Sequence, residues 1–185
     1  MINKRLRSFL SVFWVITVFT IVGCGDSAVK MIKNGTMQGY ETTTIGKAFD
    51  ASFEKPTWRS FETDKGEKIV EFSGIITQKL HDTAIAYLYR DFDLNNGISV
   101  LYALSAINNI VPQDEILEIA KTIDKGEKSK ERALVLAVQE LSWEVGSPVI
   151  VQWAILADGE TFQLVAIEGF RYTPDASMII DIIYS

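Results

Sequence analysis

Two stretches of alternating apolar residues flank Asp158-Gly159, and together they dictate a β-hairpin. Val149, Val151, Trp153 and Ile155 alternate before the turn, and Phe162, Leu164 and Ala166 alternate after it. A period of two puts each set on one face of its strand. Asp-Gly supplies the positive φ angles that a tight turn demands. An earlier segment has the same grammar. Thr57 to Thr63 and Lys68 to Gln78 are rich in aromatic and β-branched residues, and Asp64-Lys65-Gly66-Glu67 between them is turn chemistry. Val70, Phe72 and Ile76 alternate onto one face of this first hairpin.

Helical patterning surrounds the hairpins. Thr42-Thr43-Thr44 precedes Ile45, Ala48, Phe49 and Phe53, which share one helix face. A threonine caps the free amides and Pro56 is expected to end this helix. Thr173-Pro174-Asp175 is expected to open a last helix, with Pro at its first position and Asp in its first turn. Met178, Ile179, Ile182 and Ile183 form its apolar face. Between the hairpins lies an insert of about 79–147. It contains helices over Ile98 to Asn109 (Leu101, Tyr102, Leu104, Ile107), Pro112 to Ile123 (Ile116, Ile119, Ala120, Ile123) and Lys130 to Leu141 (Leu134, Val138, Leu141). Lys79 to Phe92 fits two patterns. Leu80, Ala84, Leu88 and Phe92 fit a helix, and Ile85, Tyr87 and Tyr89 fit a strand; the helix is preferred.

The start of the chain follows another logic. Lys4, Arg5 and Arg7 form a short basic region, and Phe9 to Val22 is apolar apart from Ser11, Thr17 and Thr20. That run is shorter than the roughly 18 residues of a spanning helix. Ile21-Val22-Gly23-Cys24 ends it and resembles the lipobox of bacterial prolipoproteins. The resemblance implies cleavage before Cys24, lipid on the Cys24 thiol, and a membrane contact made through that lipid. It implies residues 1–23 as a signal peptide and a location at the cell membrane or outer membrane, with the domain facing the periplasm or exterior. Asp26 lies one place beyond the position at which Asp retains some lipoproteins in the inner membrane, which points outward. An uncleaved signal anchor, with Cys24 a bystander, is the alternative.

Removing residues 1–23 from the 185 leaves 162, with 15 basic and 24 acidic groups and a formal charge of −9. That length suits one domain, here residues 40–185. With Cys24 the single cysteine, the domain has no internal disulfide and must be held by its core. The acidic balance argues against nucleic-acid binding and against electrostatic docking on anionic lipid. Residues 24–39, polar with scattered Gly and Asn, read as a flexible tether of roughly 20 Å span.

Thr44-Ile45-Gly46-Lys47-Ala48-Phe49, then Phe53, Pro56, Trp58 and Phe61, then Val70-Glu71-Phe72-Ser73-Gly74, resemble a module of exported bacterial proteins. So does the end, Ile179-Ile180-Asp181-Ile182-Ile183-Tyr184-Ser185. The resemblance implies a short helix, a Trp-containing hairpin, a second hairpin and a C-terminal helix. It implies no activity.

Signals for chemistry are weak. His81 is the one histidine and has no second histidine or cysteine with which to share a metal. No G-x-S-x-G turn supplies a nucleophile for it. Asp91, Asp93, Asn95 and Gly97 resemble the start of a calcium loop, but Asn96 stands where Gly is needed and Tyr102 where Glu is needed. Asp50/Glu54 and Asp114/Glu118 are carboxylates at i, i+4, able to run acid–base chemistry only if a cleft separates their pKa values. There is no phosphate loop. Trp58, Trp143 and Trp153 sit in apolar patterns that read as core, with a carbohydrate-stacking platform the alternative for one of them.

The expectation is therefore an α+β domain. Two antiparallel hairpins form one sheet, the N- and C-terminal helices pack on it, and a helical insert separates the hairpins. No catalytic, cofactor or metal residues are assigned; the one assigned site is Cys24, for lipid. A binding or assembly role at the envelope, with a possible envelope protein partner, is favoured over a hydrolase or carbohydrate-active enzyme using acidic residues. A third reading has the sheet face docking another protein, for which an exposed aromatic patch would be the sign.

Overall fold

A computed structural model gives the architecture for residues 25–90, 96–122, 129–172 and 175–185. In chain order the elements are α1 (Gly25–Asn34), α2 (Ile45–Ser52), β1 (Phe53–Glu62), β2 (Lys68–Ile76), α3 (Gln78–Arg90), α4 (Gly97–Ile110), α5 (Gln113–Thr122), α6 (Lys130–Ser142), β3 (Pro148–Ile155), β4 (Phe162–Glu168) and α7 (Ala176–Tyr184). The strands form one antiparallel sheet in the order β1-β2-β3-β4. The α+β expectation holds: two hairpins make one sheet, with helices at both ends of the chain and a helical insert between the hairpins.

The alternation places the core. Val70 pairs with Trp153 and Phe72 with Val151 across β2 and β3, and all four are fully buried. Phe49 of α2 meets Phe72 and Trp153 edge-on, with ring centroids 5.0 and 5.3 Å away. Such tilted pairs suit the ring quadrupoles. Gly74 makes room for them: a Cβ there would lie 2.7 Å from both Phe53 Cβ and Phe72 Cζ.

Several boundaries differ from the sequence reading. α2 stops at Ser52, not at Pro56, and Phe53 already pairs with Ile76 in the sheet. The Thr77 hydroxyl takes the Ser52 carbonyl at 3.0 Å, so tertiary partners end the helix first. Pro56 sits inside β1, an edge strand, where its missing N–H costs no ladder bond. Lys55 before it has φ 52°, and the register shifts between Glu54 and Thr57. In β4 a shift opposite Gln152/Trp153 bulges Val165 out. Ile167 then lies opposite Val151, and Ala166 lies opposite Gln152 on the outer face, against expectation. α7 starts at Ala176 with Asp175 as its N-cap, accepting the Ser177 amide at 2.7 Å; Thr173 and Pro174 lie outside the described residues.

The largest correction concerns residues 24–39. They contain α1, whose Ile32 is fully buried in the sheet core. The Gly35 carbonyl accepts the Ile45 amide at 2.8 Å, and Gly35 lies against the Phe162 ring. Ala28 and Val29 lie four and three residues before Ile32 and so share its helix face, which is what a packed helix needs.

A second core fills the insert. α3 joins the two, because one stripe of its residues spans both. Leu80 and Ala84 belong to the sheet core, and Leu88 belongs to the insert core with Val100, Ile107, Ile116, Ile119 and Val138. α6 is buried more widely than one stripe: Ala133, Val135, Leu136, Gln139 and Ser142 are buried, while Leu134 and Leu141 are only partly so. On α5 Ala120 faces solvent, and Ile123 lies outside the described residues.

Candidate functional site

Cys24 lies outside the described residues, which begin at Gly25 with α1. α1 is fastened to the domain at several points. Lys33 Nζ lies 2.7 Å from Asp50 Oδ2 and 5.2 Å from the centre of the Trp58 ring. The Trp58 indole N–H donates to Asp50 Oδ1 at 2.8 Å. Asp50 thus serves structure, and its sequence partner Glu54 has left the helix for β1, beside Lys55. The pair does not share a cleft.

Asp114 and Glu118 do share α5, and both face solvent. Glu118 pairs with Lys121 at 2.6 Å. His81 sits in the first turn of α3, where Nδ1 meets the Trp143 carbonyl at 2.9 Å. It ties α3 to the end of α6. Asp91, Asp93 and Asn95 lie outside the described residues. Among the described residues no group of three or more His, Cys, Asp or Glu is placed to hold a metal ion.

The outer face of the sheet carries one buried carboxylate. Glu71 is 6% exposed. Arg59, opposite it on β1, brings Nε and Nη2 each to 2.7 Å of Oε1. Gln152, opposite it on β3, donates to Oε2 at 2.7 Å. A cation and an amide therefore satisfy both oxygens, as a buried charge requires. Among the described residues no second carboxylate is paired with Arg59 or Gln152. The exposed large apolar groups of this face are Phe61, with Arg59 over its ring at 5.5 Å, and Val165. That is one aromatic, not the patch that sheet docking calls for.

The tryptophans are structural. Trp143 and Trp153 are fully buried. Trp58 is half-buried and stacks on Trp153 with centroids 5.6 Å apart, with Phe72 and the Lys33 ammonium as further neighbours. None of the three presents a free ring face for a sugar.

At the rim of the insert, Arg171 Nη2 lies 2.6 Å from Glu115 Oε1. The adjoining Tyr172 hydroxyl and this guanidinium hold the Glu115 carboxyl below its ordinary range. Tyr172 itself is buried, and burial pushes its hydroxyl up to about 12. The pairing braces α5 against the segment after β4.

The element whose orientation the sequence left open is α4. Of Leu101, Tyr102, Leu104 and Ile107, the apolar residues of its pattern, only Ile107 is buried. The structure buries Val100 and Ile107 and leaves Ile98, Leu101 and Tyr102 exposed by 63, 65 and 71%. These three stand at i, i+3 and i+4, on one face. A signal was available: Gly97 to Ile110 holds no charged residue, so its apolar groups run all round the helix and no amphipathic side could be picked. A helix of that kind is usually covered on every side.

No helix among the described residues is long and apolar enough to cross a membrane. Compared with known proteins, the chain matches no family model, no curated protein and no solved structure.

Proposed function

We propose that the chain is a lipid-anchored protein of the cell envelope, held at the cell membrane or outer membrane by lipid on Cys24, and that its folded part acts by binding or assembly. The observation that carries this reading is the order of parts. A basic start, an apolar run and Ile21-Val22-Gly23-Cys24 follow one another in that order, ahead of the folded domain. In a prolipoprotein that order marks the processing site. Diacylation or triacylation would give stable anchoring, because each buried CH₂ adds about 0.8 kcal/mol. The hydrolase alternative gains no observation of its own, since Glu71 is engaged by Arg59 and Gln152 and the carboxylate pairs lie apart or in solvent. The test is metabolic labelling with palmitate. Label is expected in the wild-type chain and none in Cys24→Ser, with the variant lost from the membrane fraction. Equal labelling of both would contradict the reading.

A further inference from the structure

We propose that α1 is a short anchor strap: packed into the core, it holds the domain against the membrane that carries the Cys24 lipid, so that what the domain binds must lie at that same surface. The inference rests on the lipid-anchor reading and deepens it.

Burial fixes how much slack the chain has. Ala28 and Val29 pack against the sheet core, and Ile32 is fully buried in it. Three residues separate Cys24 from Ala28. Whatever path they take, those four steps of chain span at most about 14 Å. A tether running free from Cys24 to Tyr40 would have sixteen steps and could be paid out to about 55 Å. Packing of α1 therefore removes most of the reach that the composition of residues 24–39 suggests.

The strap is fitted closely to the domain. Gly46 of α2 lets the two helices touch: a Cβ there would lie 2.9 Å from both the Lys33 Cβ and the Lys33 carbonyl oxygen. One turn further along α2, Asp50 takes the Lys33 ammonium. The Gly35 amide closes the end of α1 on the Met31 and Ile32 carbonyls, at 2.9 and 3.1 Å. Lifting α1 away would expose Ile32 to water and part Lys33 from Asp50, so lengthening the tether costs apolar burial and an ion pair. A domain held this way meets a partner at its own membrane surface and has no free tether with which to reach one farther away.

The test is trypsin treatment of the full wild-type chain, in isolated membranes and again after solubilisation in mild detergent, with the cut sites read by mass spectrometry. Lys30 and Lys33 lie in α1, and Lys65, exposed in the β1–β2 turn, is the reference within the same molecule. A packed helix must open before a protease cuts it. The expected result is cutting at Lys30 and Lys33 severalfold slower than at Lys65 in both samples, with the domain retained in the membrane pellet. Cutting at Lys30 or Lys33 as fast as at Lys65, with release of the domain, overturns the proposal. So does protection that vanishes in detergent, which would come from the membrane and not from the core. Neutron reflectivity of the lipidated chain on a supported bilayer measures the reach itself. Protein density should begin at the headgroups, and a hydrated gap wider than about 14 Å contradicts the strap. Palmitate incorporation is measured on the same samples. Lipidated protein cut freely at Lys30 sinks this inference alone, whereas absence of lipid sinks the anchor reading.

Discussion

The core beneath the sheet is aromatic, and the core of the insert is aliphatic. Phe49, Phe53, Phe72, Trp58 and Trp153 interlock under the sheet at centroid distances of 5.0 to 6.2 Å. The insert core is Leu, Ile and Val with Tyr172 at its rim. The first is fixed on one side by four hydrogen-bonded strands and on the other by α1, α2 and α7. The second rests mainly on helices, and one of them, α4, leaves Ile98, Leu101 and Tyr102 in the open. The difference teaches where the packing is concentrated: under the sheet, while the insert leaves one apolar face of α4 exposed. The two halves meet at few polar points, among them His81 with the Trp143 carbonyl and Gln139 with the Ala84 carbonyl at 3.4 Å.

The comparison breaks first if Trp153 proves dispensable. Trp153→Ala deletes a fully buried ring from the aromatic cluster and is expected to cost about 3–5 kcal/mol by denaturant titration. That is much of a typical total of roughly 5–15 kcal/mol. A change below about 1 kcal/mol would move Trp153 out of the core. Ile107→Ala in the insert core is expected to cost less, about 2–3 kcal/mol, within the range for buried aliphatics. A loss as large as that of Trp153→Ala would erase the contrast between the halves.

Each half also buries a tyrosine hydroxyl at its edge, Tyr184 beneath the sheet and Tyr172 in the insert. Burial raises each from 10 to about 12. The unfolded chain ionises at the ordinary value and the folded one does not, so stability is retained below pH 10 and is lost as pH rises from 10 towards 12. Melting temperature should fall over that window. Tyr172→Phe and Tyr184→Phe should each flatten the decline, and an unchanged slope in both would place the hydroxyls in water.

Smaller effects sharpen the picture. Thr44→Ala removes the α2 cap, in which Thr44 Oγ1 accepts the Lys47 amide at 3.3 Å, and should cost about 1 kcal/mol. Leu101→Ser on α4 should change stability by no more than about 0.5 kcal/mol, because the side chain is already in solvent. A larger loss would mean that α4 is covered within the monomer.

The hairpins were legible because alternation and Asp-Gly turns are local signals that the pairing preserves. Val70, Phe72, Val149, Val151 and Trp153 all face inward as their spacing demands. The bulge at Val165 was not legible, because one extra residue in a pairing register leaves no mark in the strand that carries it. α2 ends early because the Phe53–Ile76 pairing and the Thr77 hydroxyl come from elsewhere in the chain. α1 was obscured by composition: Gly25, Asp26, Ser27 and Lys30 look like linker, while the three apolar positions that matter are spread over five residues. α4 failed for the opposite reason, since apolar residues on all sides give no direction. Cys24 is visible as a motif, whereas the exposed face of α4 is seen only in the structure.

Native-state hydrogen exchange of the intact chain tests the division most directly. α1 should behave as part of the sheet core: its hydrogen-bonded amides, Ile32 among them, should exchange as slowly as those of Val70 and Phe72, through global unfolding. Amides of α4 and α5 should exchange faster, through opening of the insert while the sheet stays folded. If α1 exchanges at the rate of an unfolded chain, or α4 is as slow as β2, the account of an α1 packed into the sheet core and of an insert less stable than the sheet is contradicted.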